Sequence, residues 1–153
     1  MRTFKFFKSI CLAILACLIT LSGCKFNSTY INREDDKQAA EKVTNKFFEL
    51  IKAKKYNDTF KLYSDKFWTV TPKSKMLEIY TMSEKKLGEL NSATVDNWET
   101  RRVEGSDPSA EYVFAYKTKH SKYQAVESIR LMREKDGSIK IVAYNVNSEG
   151  LFK

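Results

Sequence analysis

Asp136-Gly137-Ser138-Ile139-Lys140-Ile141-Val142-Ala143-Tyr144 is the stretch that decides the fold class. Asp-Gly supplies the positive-φ residues that a tight hairpin turn needs, and the β-branched run behind it reads as a strand from Ile139 to Asn147. A hairpin needs a partner upstream, and Tyr123 to Arg133 has the length and alternation for one. Further out, Glu111 to Lys119 is another strand, joined to the previous one through His120, Ser121 and Lys122. Gly105 to Ser109, with Asp107-Pro108, reads as a turn, and Thr94 to Val103 as a polar strand around Val95 and Trp98. Short links between successive strands predict an antiparallel sheet of four.

Upstream of Gly88 the period lengthens from two to near four. Thr71-Pro72 starts a helix, with Thr71 as cap and Pro72 as first helical residue. It carries Met76, Leu77, Tyr80, Ser83, Glu84 and Leu87 and stops at Gly88 in the C′ position. An earlier helix is striped by Ala39, Ala40, Val43, Phe47, Leu50 and Ile51 and runs to about Lys54. Asn32 opens it, and Glu34, Asp35 and Asp36 form a solvated first turn at the positive end of its dipole. Asn57-Asp58 interrupts, a shorter helix points Phe60, Leu62 and Tyr63 inward, and Phe67-Trp68-Thr69-Val70 reads as a brief strand. The plan is α+β: about three N-terminal helices packed on a curved, mainly antiparallel four-stranded sheet.

Three segments carry a resemblance. They are Ala40 to Phe48, the Lys54-Lys55-Tyr56-Asn57-Asp58 break with Phe60 and Phe67 after it, and the ending Asp136 to Tyr144. In pattern and order the chain resembles the NTF2-like superfamily, a cone-shaped fold that includes ketosteroid isomerase, scytalone dehydratase and many uncharacterised small lipoproteins. Where many members have Trp before Lys-Ile in the last strand, Ile139 stands here. The resemblance implies a pocket between helices and concave sheet, an acid or base in that pocket in the enzymes, and dimerisation through the other sheet face.

The N-terminal end gives an address. Arg2, Lys5 and Lys8 precede an uncharged apolar run from Ile10 to Ile19 and then small residues, the layout of a secretory signal. The run is well short of the ~20 residues a membrane-spanning helix needs. Leu21-Ser22-Gly23-Cys24 resembles the lipobox of bacterial lipoproteins, which implies cleavage between Gly23 and Cys24 and lipid on Cys24. The alternative is an ordinary signal peptide that ends in Cys. On the lipobox reading residues 1–23 are the leader, 24–33 the lipidated cysteine and a polar tether, and 34–153 the α+β domain. Two or more acyl chains hold a protein firmly, which places this one in the cell envelope. In a cell with two membranes Lys25 implies the outer membrane, facing the periplasm, because it is not the aspartate that retains many such lipoproteins.

Removing the leader takes away three of the 27 basic residues and leaves a modest excess over 19 acidic ones. Such a balance suits attraction to anionic head groups or acidic envelope polymers, and nucleic acid is not expected as a partner. Cys11 and Cys17 belong to the leader, so the domain is expected to have neither disulfide nor free thiol.

Equipment for catalysis is sparse. The lone histidine, His120, falls in a hairpin connection, which supports neither a Ser-His-Asp relay nor a zinc site, and replacing it is expected to change little. No Gly-rich phosphate loop is present, and no cofactor or metal is expected. Asp96, Glu99 and Glu127 are acid-base candidates if held in apolar surroundings; otherwise they sit on solvent faces or pair with Arg101, Arg102 or Arg130. Tyr112, Phe114 and Tyr116 alternate along one strand face and, with Glu127, are the pocket candidates; the plainer expectation for the three aromatics is core.

Faces set the last expectation. Tyr112, Phe114 and Tyr116 oppose Val113 and Ala115, while Ile139, Ile141 and Ala143 oppose Val142, Tyr144 and Val146, so both sheet faces read as apolar. An antiparallel sheet wet on one side shows polar residues there, which predicts that a homodimer or protein partner covers the outer face, the rival cover being the chain's own ends through Phe26, Tyr30 and Ile31 or Leu151 and Phe152. Together these readings predict a membrane-anchored accessory or protein-interaction lipoprotein without catalysis. The alternatives are a small apolar ligand-binding module in the cone pocket and an isomerase-like or hydratase-like enzyme.

Overall fold

The computed structural model describes residues 26–153; the leader, Gly23 and Cys24 lie outside the described residues. The sheet has five strands: β1 (Asn27–Ile31), β2 (Leu90–Gly105), β3 (Ser109–His120), β4 (Gln124–Arg133) and β5 (Ile139–Asn147). They lie in sequence order and every neighbouring pair is antiparallel. The class is α+β, but the expected four-stranded sheet is corrected. Its fifth member, β1, comes from the stretch read as tether.

Local chemistry explains β1. Asn27 pairs with Gly105 and its side-chain oxygen accepts the Ser106 backbone N–H at 2.9 Å. At the other end the Asn32 N–H donates to the Thr100 carbonyl at 2.9 Å, and Asn32 Oδ1 accepts the Thr100 N–H at 3.0 Å. Tyr30, opposite Arg102, has the Arg33 guanidinium 4.8 Å from its ring centroid. Asn32 therefore ties β1 to β2 at φ 52°, and Arg33 takes the N-cap position expected of it.

The helices are α1 (Glu34–Lys52), α2 (Tyr56–Thr59), α3 (Asp65–Trp68) and α4 (Lys73–Leu87), with a 3-10 turn at Phe60–Leu62 after α2. Pro72 stands at the N-cap of α4, one position earlier than expected, and Gly88 follows its end at φ 87°. The strand expected at Phe67–Val70 is corrected to α3. Ser64 Oγ accepts the Lys66 N–H at 3.2 Å and so caps the turn. The rings of Phe60, Tyr63, Phe67 and Trp68 then pack edge-on or tilted at centroid distances of 4.5–5.1 Å. Tertiary packing of the aromatics overrides their local strand preference.

The core lies between the helices and one sheet face, where Phe47, Tyr112, Phe114, Ile129, Leu131 and Ile141 are fully buried. Tyr112, Phe114 and Tyr116 are thus core. The two-faced apolar sheet is corrected as well. Between Arg130 and Leu131 the β4–β5 register slips, so Ala143 pairs with Arg130 while Ile141 pairs with Leu131 and Tyr144 with Ile129. Val142 sits in this bulge, which rephases β5 so that Ile141 and Tyr144 share the inner face. The outer face carries Glu99, Arg101, Glu111, Lys117, Ser128 and Arg130 among small apolar residues. Solvent can wet such a face, and the premise that something must cover it is gone. Among the described residues no helix is long and apolar enough to cross a membrane.

Candidate functional site

The alternation that buries Tyr112, Phe114 and Tyr116 runs on through Thr118 to His120, which pairs with Leu90. Expected in a solvated connection, the His120 side chain is instead 7% exposed. On β4 the same phase holds Ala125, Glu127, Ile129 and Leu131, and the Glu127 side chain is 3% exposed. Adjacent inward positions therefore bring the histidine and one candidate carboxylate together.

Glu127 is fully engaged. Thr118 Oγ1 donates to its Oε1 at 2.8 Å, the Tyr144 hydroxyl donates to its Oε2 at 2.7 Å, and His120 Nε2 lies 3.2 Å from Oε1. His120 Nδ1 lies 3.2 Å from the Gly88 carbonyl oxygen. Glycine is required at 88, since φ is 87° and a Cβ there would lie 2.1 Å from Ser121 Oγ. Behind the carboxylate, Tyr63 and Tyr80 hydroxyls meet at 2.8 Å and Tyr80 reaches Thr59 at 3.2 Å. Burial, followed by the nearby Glu127 charge, holds the Tyr144 hydroxyl well above the usual tyrosine range, and burial pushes Tyr80 up to about 12. These phenols are neutral hydrogen-bond donors at physiological pH.

Carboxylate, imidazole and phenol make an acid-base set, so access decides what they can do. The void beside them, lined by Tyr80, Ser83, Leu90, His120, Glu127 and Tyr144 among others, measures about 30 Å³. Tyr56, which donates to Glu84 at 2.6 Å, and Lys54, which bridges Glu84 at 2.6 Å and Glu89 at 2.8 Å, line it as well.

The other acidic candidates are dispersed. Asp96 is exposed and pairs with Lys117 at 2.6 Å, and Glu99 is exposed opposite Val113. In the first turn of α1, read as solvated, Asp36 is 2% exposed and meets Arg102 Nη1 at 2.9 Å. Among the described residues no group of three His, Cys, Asp or Glu side chains is placed to hold a metal ion.

A second space opens outside the core, unanticipated from the sequence. Between the Asn57–Lys73 segment and the β4–β5 turn lies a cleft of about 840 Å³. Phe60, Tyr63 and Trp68 line it, and Lys61, Lys66, Lys73, Lys135 and Lys140 surround them. The Lys73 ammonium sits 5.7 Å from the Trp68 ring centroid and 5.8 Å from that of Phe60. Of the three carboxylates present, Glu134 accepts from Ser64 Oγ at 2.6 Å and Asp136 accepts from Ser138 N–H at 2.8 Å. The available signal was lysine interleaved with aromatic residues from Phe60 to Lys73, hidden because that stretch reads as two ordinary elements.

A family model described as a protein of unknown function (DUF4019) matches residues 43–144, two-thirds of the chain. No curated protein matches it.

Proposed function

The chain belongs to the DUF4019 family, whose function is unknown, and we propose a role for this member: a lipid-anchored accessory protein of the cell envelope that acts by binding at its surface. The observation that carries this reading is the contrast between the two spaces. Small-molecule sites measure roughly 300–1,000 Å³. The void beside Glu127, at about 30 Å³, is an order of magnitude too small, while the lysine-rimmed cleft, at about 840 Å³, lies within that range. The anchor rests on Leu21-Ser22-Gly23-Cys24 behind its apolar run.

Two measurements test the role. Intact mass of the membrane-extracted protein should correspond to a chain that starts at Cys24 and carries acyl groups, and Cys24→Ala should abolish fatty-acid labelling. A cleaved but unacylated chain would refute the anchor. A photo-crosslinking residue in place of Lys66, beside the cleft, should form adducts in cells where one in place of Lys122 does not. Equal adducts from both positions would refute a role centred on the cleft.

A further inference from the structure

We propose that the end of the sheet bearing the β2–β3 and β4–β5 turns is the membrane-facing surface of the domain, seated on anionic lipid head groups. This rests on the lipid anchor at Cys24 proposed above. The first argument is covalent reach. Only Lys25 and Phe26 separate Cys24 from Asn27, the first residue of β1. At no more than ~3.6 Å per residue, Asn27 lies within roughly 11 Å of the anchoring residue. The expected tether is largely consumed by β1, so the domain cannot stand away from the bilayer.

Register decides which end is held there. Asn27 pairs with Gly105, and because every neighbouring pair is antiparallel, Ser109, Arg133 and Ile139 lie at the same end. Five strands spaced ~4.8 Å apart make that end about 20 Å wide. The helical side is pinned to it as well, with Ser64 N–H donating to the Ile141 carbonyl at 2.9 Å and Lys140 Nζ to the Lys61 carbonyl at 2.8 Å.

The chemistry of this end fits a charged lipid interface. It holds the Lys–Trp cleft and, sharing Glu134 and Lys135 with it, a second, mixed-charge groove of about 630 Å³ lined in part by Arg133, Pro108, Asp107 and Arg102, the last paired with Asp36 and Glu104. Phe26, 78% exposed, precedes β1, and Val70, 79% exposed, lies on the link between Trp68 and Lys73. Long cationic side chains around an aromatic and a few bare apolar residues are what head-group contact selects, since the ammonium meets phosphate while the stem and ring enter the interface. Where this end meets the bilayer these lysines attract it with little screening, since the Debye length is about 10 Å at 0.1 M salt.

Cysteine content makes the test direct, because the chain after the leader has no cysteine except Cys24. Full-length, lipidated protein carrying Val70→Cys, Asp107→Cys or, at the far end, Lys122→Cys is spin-labelled and reconstituted into vesicles. One set contains phosphatidylglycerol with phosphatidylethanolamine, the other phosphatidylcholine alone. On the anionic vesicles the Val70 and Asp107 labels should be roughly threefold less accessible to an aqueous nickel quencher than the Lys122 label. Protection should fall on neutral vesicles, and Lys66→Glu/Lys73→Glu should remove it while far-ultraviolet circular dichroism stays unchanged. Protein that floats with the vesicles but exposes all three labels equally refutes the surface and leaves the anchor standing; a soluble acidic partner would then become the occupant. Equal protection on neutral vesicles refutes the anionic head groups. Failure to float refutes the anchor, and the surface with it.

Discussion

His120 Nε2 and Glu127 Oε1 lie 3.2 Å apart inside the core, and the other ring nitrogen of His120 faces the Gly88 carbonyl. These two contacts fix the ring between β4 and the link that follows α4. This overturns the expectation that His120 is an indifferent turn residue. Removing one partner of a buried hydrogen bond leaves the other unsatisfied, at about 1–3 kcal/mol per group. Glu127→Ala takes the acceptor from the Tyr144 hydroxyl and the neighbour from His120 and should lower the unfolding free energy by about 2–5 kcal/mol, and His120→Gln by about 1–3 kcal/mol. The double variant should cost less than the sum. Urea unfolding followed by circular dichroism reads all three. An unchanged midpoint in His120→Gln would show that the pair contributes nothing.

Alkaline pH should unfold the protein through its buried phenols. Burial raises Tyr80 and Tyr116 from 10.0 to about 12. Below pH 10 both are protonated whether the chain is folded or not. Above it the unfolded chain releases protons that the folded chain retains, so their contribution is lost as pH climbs through about 12. At 1.36 kcal/mol per unit, each accounts for roughly 2–3 kcal/mol of that loss. Urea midpoints measured between pH 9 and pH 12 should stay level and then drop, and Tyr116→Phe should shrink the drop.

Asp36 and Arg102 make a second buried tie, this one between α1 and β2. Arg102→Ala strands a carboxylate that is 2% exposed and should destabilise by about 3–5 kcal/mol. Its neighbour Arg101 is exposed on the outer face, so Arg101→Ala should stay within about 0.5 kcal/mol. Equal midpoints for the two variants would contradict the burial that separates them.

These ties also show where the sequence was legible. Period-two alternation located β2 to β5 because Tyr112, Phe114 and Tyr116, or Ile129 and Leu131, face a single core. The same phase, carried four residues past Tyr116, places His120 inside, one residue beyond the expected strand end at Lys119. Glu127 was legible as a candidate because it occupies an inward position between Ala125 and Ile129. The bulge at Val142 was not legible, since a run of apolar residues satisfies either phase. Neither was β1, whose Asn27, Ser28 and Thr29 have tether-like composition and are held by backbone pairing with β2, while the Asn27 and Asn32 side chains accept from Ser106 and Thr100 at the two ends. For the cleft, the lysines and rings come from segments some 70 residues apart, brought together by tertiary contacts such as Ser64 with Ile141 and Lys140 with Lys61.

Asn32 separates two contributions that meet at the β1–α1 junction. Its backbone is left-handed at φ 52°, a conformation that asparagine tolerates better than other non-glycine residues, and its Oδ1 accepts the Thr100 N–H at 3.0 Å. Asn32→Gly keeps the conformation and removes the acceptor, while Asn32→Ala removes both. Loss of one hydrogen bond at this part-buried position costs about 1 kcal/mol, and a Cβ forced into the left-handed region adds roughly 1–2 kcal/mol. Asn32→Ala should therefore be the less stable of the two, even though glycine loses more chain entropy on folding, by about 0.5–1 kcal/mol. Amide exchange supplies the second readout. Thr100 should exchange faster in both variants, because both leave its N–H without the side-chain acceptor. A glycine variant with unchanged Thr100 exchange would mean that the Oδ1 contact does not hold β1 in place.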